Sequence, residues 1–311
     1  MAITITGGVN ISGGVVLDPP AGSPSPGGLS DGYVSGGNNA PTDTLVATIQ
    51  SFSFSSDGNA TNVGSLAAVT NGAAGNSSST DGYTSGGFGS PSFIADIQKF
   101  PFASSTSGSD VGDITSARST LSAQNSSTNG YMAGGAFGGI IEKFPFASDG
   151  NSASVGNQFN DRGYAAGGQS SSHGYISGGF DRSPVGAGNI NIIEKFPFAS
   201  DNNGTDVGDL TAARQSPAGQ SSSDNGYASG GSGNLNVIDK FPFASDSNST
   251  DSGDLTVGRT RASGQSSSDS GYTSGGDPSN VIDKFAFASD GNASDVGDLT
   301  FNAKFTAGHQ G

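Results

Sequence analysis

Short bursts of alternating apolar and polar residues run along this chain and return in a fixed order. The most regular burst is Ile-(Glu, Asp or Gln)-Lys-Phe-Pro-Phe. Its paired aromatics are Phe100/Phe102, Phe144/Phe146, Phe196/Phe198, Phe241/Phe243 and Phe285/Phe287, with Phe52/Phe54 in a divergent first copy. Side chains two residues apart in a strand share a face, so each pair predicts an aromatic stripe that packs against a neighbouring sheet. Twelve of the nineteen phenylalanines sit in these pairs, which makes them the main candidate core. A second burst, Gly-Tyr-x-Ser-Gly-Gly and its variants, is centred on Tyr33, Tyr83, Tyr131, Tyr175, Tyr227 and Tyr272. A third reads Val-Gly-Asp-Leu-Thr or close to it, around Val63, Val111, Val155, Val207, Ser252 and Val296. A fourth is built of small residues, as in Ala-Gly-Gln-Ser-Ser-Ser. No 3.6-residue apolar period accompanies them, and Gly, Ser, Thr and Asn are poor interior helix residues. The predicted elements are therefore short strands joined by turns.

The tyrosines of the second burst lie 50, 48, 44, 52 and 45 residues apart. Four strands per repeat of that length describe one antiparallel blade of a propeller. Each burst occurs six times, yet the two ends are incomplete. The strand at Tyr33 has no small-residue strand before it, and the final small strand, within Ala307–Gly311, has no double-glycine strand after it. A ring resolves both ends, because the C-terminal strand can complete the first blade, whereas an open array leaves two raw edges. The sequence thus predicts an all-β, six-bladed β-propeller of four-stranded antiparallel blades over residues 31–311, preceded by an extended arm over residues 1–30. The small strand should be innermost, where six strands crowd together. The phenylalanine pairs should lie further out, between adjacent blades. The double glycines should serve close backbone approach or positive φ, and Pro101, Pro145, Pro197 and Pro242 should sit at a strand terminus or on the unpaired side of a strand.

Composition sharpens this picture. With 52 glycines, a net charge of -15 and under a fifth of residues Leu, Ile, Val or Phe, the bulk figures alone point to disorder. The fixed positions of the apolar residues argue the other way. The absence of Cys excludes disulfides, thiolate metal sites and Cys nucleophiles. The opening Met-Ala-Ile-Thr-Ile-Thr-Gly-Gly lacks the basic and apolar regions of a signal peptide, and no stretch approaches a membrane span, so no membrane insertion is expected. The acidic balance argues against nucleic acid as a partner.

Candidate chemistry is sparse. The turn after each phenylalanine pair is acidic, with Asp201, Asp206 and Asp209, then Asp246, Asp251 and Asp254, then Asp290, Asp295 and Asp298. This is the composition of tight turns, and its oxygen spacing would also suit Ca²⁺. Glu142–Lys143 and Asp239–Lys240 read as solvated strand edges. His173 and His309 fall in the small-residue phase, where they would line a channel. No triad, phosphate loop or zinc spacing is present, so no catalytic residue and no cofactor are expected. In the arm, Ile3, Ile5, Val9, Ile11, Val15 and Val16 precede a Pro/Gly linker over Asp18–Gly28. Such a β-prone arm can add a strand to another protein's sheet, or fold back on its own propeller.

The repeat resembles the kelch motif. Arg118, Arg214 and Arg259 stand where that motif has Arg before its small strand, Gly-Tyr-x-Ser-Gly-Gly matches its Tyr and double-glycine strand, and Ile-Glu-Lys-Phe-Pro-Phe its next strand. The chain has no Trp, so Val or Leu must replace that motif's tryptophan anchor. The repeats, and the first residues, are similar to those of kelch-like structural proteins of tailed marine phages. The resemblance implies a non-enzymatic virion protein on the tail, a fibre or the capsid surface, docked to other virion proteins through residues 1–30. It would present loops 36–48, 88–96, 180–190 and 231–236 to a partner protein or host surface. The competing expectation is an extracellular adhesin or lectin that binds glycans through the same loops.

Overall fold

The computed structural model describes residues 30–104, 107–136, 138–184 and 187–311, and every regular element in them is a strand. Residues 1–29, and with them Ile3, Ile5, Val9, Ile11, Val15 and Val16, lie outside the described residues. The strands form six four-stranded and two three-stranded antiparallel sheets in a propeller-like arrangement.

Each four-stranded sheet runs small strand, tyrosine strand, phenylalanine strand, Val-Gly strand. In the second sheet these are Ala74–Ser77, Asp81–Ser85, Asp96–Pro101 and Ser109–Asp113. In the first sheet, Asp31–Ser35, Thr48–Ser53 and Thr61–Ser65 take their small strand from Ala307–Gln310 at the other end of the chain, with Ser35 opposite Ala307. The six small strands touch in a cycle: 74–77, 122–125, 166–169, 218–221, 263–266 and 307–310, which returns to 74–77. Together they line a central channel of 130 Å³. Small side chains are required there because the backbones nearly touch. A Cβ on Gly219 would collide with the carbonyl of Gly167 in the adjoining strand.

Aromatic residues join the sheets. The tyrosine of one sheet enters the phenylalanine pair of the next, as when Tyr131 stacks on Phe198 at 4.7 Å between ring centroids. Tyr272 of the sixth sheet stacks likewise on Phe54 of the first at 4.6 Å. The first phenylalanine of every pair is at most 4 % exposed, and each contributes about 1.5–3 kcal/mol by leaving water. The double glycines add a backbone tie. Gly134 and Gly135 take φ values of 67° and 106°, which lets the Gly135 amide donate to the carbonyl of Arg162, in the loop entering the next sheet, at 3.1 Å. Val111, Val155, Val207 and Val296 pack against the clusters from the outer strands.

Candidate functional site

Antiparallel order sends alternate connections to opposite ends of the sheets, and the two ends differ. At one end, seven residues separate the phenylalanine strand from the outer strand in all six sheets, from Ser53 and Thr61 to Ala286 and Ser294. At the other end, the loops between tyrosine and phenylalanine strands hold 12, 10, 6, 14, 7 and 6 residues in chain order. Both three-stranded sheets lie at this loop face: Arg162–Gly163 with Phe180–Asp181 and Gly188–Asn189, and Ala303–Lys304 with Asn38–Asn39 and Thr44–Leu45.

On the turn face the acidic turns fasten neighbouring sheets. Asp201, Asp246 and Asp290 accept from Lys143, Lys195 and Lys240 at 2.6, 2.6 and 2.8 Å. The Asp290 carboxylate holds the Lys240 ammonium above its ordinary range. Asp206, Asp251 and Asp295 accept the amides of Gly208, Gly253 and Gly297 at 3.2, 3.0 and 3.1 Å. Asp209, Asp254 and Asp298 donate their own amides to Asn248, Asn292 and Asn59 of the next turn at 3.0, 3.1 and 3.0 Å. Among the described residues, no three acidic or histidine side chains gather as a metal-binding group.

Two expectations need correction. Glu142 and Asp239 are not solvated edges, because these carboxylates are fully buried. Glu142 pairs with Arg118, and Asp239 with Arg214 at 3.0 Å. Arg259 pairs with Asp283 at 2.6 Å, and Arg162, which the repeat pattern did not single out, with Glu194 at 2.9 Å. Burial pushes Glu194 up and Arg162 down from their ordinary values. The lysine half of the expectation stands, since Lys143 is partly exposed. The histidines are the second correction. His173 opens the tyrosine strand His173–Ser177, with Nδ1 2.8 Å from Ser172 Oγ. His309 is in the small strand but lies fully buried between the first two sheets. Its Nδ1 is 3.0 Å from the Asn76 carbonyl and its Nε2 2.8 Å from Ser35 Oγ. Burial drives its pKa down to about 4.

The loop-face mouth of the channel is a feature that no motif announced. Gly72, Thr120, Tyr164, Ser216, Arg261 and Phe305 occupy the same place in the six loops entering the small strands. All six have φ between 56° and 64°, a conformation that costs about 1–3 kcal/mol per non-glycine residue. Their amides form a closed circuit. Thr120 donates to Gly72, Tyr164 to Thr120, Ser216 to Tyr164, Arg261 to Ser216, Phe305 to Arg261 and Gly72 to Phe305, at 2.6–3.2 Å. In this order Tyr164 and Phe305 stand opposite each other, and their rings meet across the mouth at 6.2 Å between centroids. The Arg182 guanidinium lies 5.5 Å from the Tyr164 ring, and that of Arg261 4.8 Å from the Phe305 ring.

No family model matches this chain, and no curated protein matches it.

Proposed function

We propose that the chain is a six-bladed kelch-like propeller, closed by its C-terminal strand, that serves as a non-enzymatic binding scaffold on a phage particle. Residues 1–30 dock it to other virion structural proteins, and the loop face meets a partner protein or host surface. The cyclic contacts of the small strands and the Tyr272–Phe54 stack across the chain ends support the ring. The observation that carries the functional reading is the contrast between the faces. The acidic turns hold seven residues throughout, while the opposite loops range from 6 to 14. Variation confined to one face of a rigid scaffold is the arrangement of a recognition surface. The virion setting draws on the resemblance of the repeats and of the first residues.

The test mixes full-length protein, or protein lacking residues 1–30, with phage particles stripped of it. Rebinding by full-length protein alone supports arm docking. Equal rebinding by both, or by neither, overturns it. Glycan binding is the second reading, and the aromatic mouth with its two arginines is what favours it.

A further inference from the structure

Nine of the chain's twelve Lys and Arg residues serve the repeat. Four arginines pair inside the sheets, and five lysines bridge to the next acidic turn. The other three are Arg182, Arg261 and Lys304, and all three lie on the loop face. Two of them hold the aromatic bar across the channel mouth. In a chain of net charge -15, these are the cations outside the repeated scaffold pairs, and they gather on the loop face around the channel mouth. Lys304 is matched by Asp43 at 3.0 Å. Arg261 has only a loose contact with Asp277 at 3.6 Å, with both side chains about 40 % exposed.

We infer that this mouth binds an anionic saccharide. The inference rests on the loop face being the recognition face. The Tyr164 and Phe305 rings offer a partly exposed apolar edge for the C–H face of a sugar ring, and Ser216 flanks Tyr164 with a hydroxyl, while that of Thr120 is buried against the backbone. Arg182 and Arg261 supply the planar donors that hold a carboxylate or sulfate ester. An extended peptide finds no ladder to join here, because the six ring amides already donate to one another. Holding five non-glycine residues in the left-handed region is a cost that a mere channel plug would not require. Strain of this kind gathers where side chains must be aimed.

The experiment is calorimetric titration of full-length protein with oligogalacturonate and with a sulfated galactan oligosaccharide, against neutral oligogalactose. We expect saturable binding of an acidic oligosaccharide, with the neutral one much weaker. Arg182→Gln and Arg261→Gln should each weaken it roughly tenfold or more, and Lys195→Gln on the turn face should leave it unchanged. Hydrogen exchange on the unaltered protein, with and without the oligosaccharide, reads the site even if a variant folds poorly. Protection should fall on 161–164, 182, 216, 261 and 305. Equal binding of the neutral sugar, competition by an acidic peptide, or no binding at all overturns the ligand class and leaves the loop-face reading to the particle experiment. Protection on the acidic turns instead overturns both.

Discussion

Glu142 accepts the Thr115 amide at 2.8 Å, and in the second sheet Gln98 accepts the Ala68 amide at the same distance. The carboxylate and the amide thus perform one backbone task, and they differ in what stands beside them. Where the acid is present, an arginine lies four residues before the small strand. Where glutamine replaces it, at Gln98 and Gln50, that place holds Thr70 or Ala303. Both charges are kept or lost together, as expected when an unpaired buried charge costs far more than a neutral pair. We therefore expect Arg118→Thr alone to destabilise the protein by about 3–5 kcal/mol in urea unfolding. Adding Glu142→Gln, which recreates the Thr70/Gln98 combination, should recover most of that loss. A double variant no more stable than the single one would sink this account. His309 gives a second prediction at the same scale. Its Nδ1 donates to the Asn76 carbonyl and its Nε2 accepts from Ser35, so it is held neutral. With the folded pKa lowered from 6.5 to about 4, the unfolded chain binds the extra proton between those values. Its contribution is complete above pH 6.5 and falls as pH drops through the window, by roughly 3 kcal/mol in all. His309→Gln places there the residue that Gln124, Gln220 and Gln265 use at the same position. It should remove most of that slope. His173, also lowered by burial, remains in both proteins and cancels in the comparison.

At the scale of the elements, the seam between two sheets depends on which phenylalanine of a pair is inside. Phe241 is 3 % exposed beneath Tyr175, whereas Phe243 caps the same tyrosine from a half-buried position. Phe241→Ala should cost about 3–5 kcal/mol and Phe243→Ala clearly less, both read as shifts in the denaturation midpoint. Equal losses would mean that the stack, rather than the buried ring, carries the seam. The four strands of each repeat, their order within each sheet and the inward place of the small strand were legible in the sequence, because period-two spacing and turn residues mark each strand locally. The two-residue strands of the two three-stranded sheets carry no such pattern. Glu142 was misjudged because the partly exposed Lys143 beside it reads as a solvated edge, whereas the alternate face that carries Glu142 is buried between sheets. The signal that could have corrected it was present. The six copies align with one another, and the joint loss of arginine and acid in the first two sheets is visible there. The mouth offered no such signal. Gly72, Thr120, Tyr164, Ser216, Arg261 and Phe305 share a backbone conformation and no side-chain chemistry, so residue type could not reveal the place they hold in common.

For the whole molecule, the question is whether the join at the first sheet differs from any other seam. The Gly311 carbonyl accepts the amides of Ser30 and Asp31 at 2.7 and 3.0 Å, so the ends of the described fold already touch. The hydrogen-bond circuit at the mouth runs through Phe305 as it does through the other five loops, and Tyr272 meets Phe54 as Tyr131 meets Phe198. If closure depends only on these repeated contacts, the position of the chain break is arbitrary. A permuted chain with Gly311 linked to Ser30 by a short Gly/Ser segment, opened between Gly233 and Asn234, should melt cooperatively within a few degrees of the parent. Its closing seam moves to the fifth sheet, which is then built from both ends of the chain. Deleting residues 306–311 should behave differently. It removes a buried strand, opens the first sheet's inner edge and breaks the cycle of small strands around the channel, so cooperative melting should be lost and association through the bare edge should appear on gel filtration. A permuted chain that fails to fold, beside a truncated chain that melts normally, would show that the C-terminal strand is an accessory and that the ring is held by something other than closure.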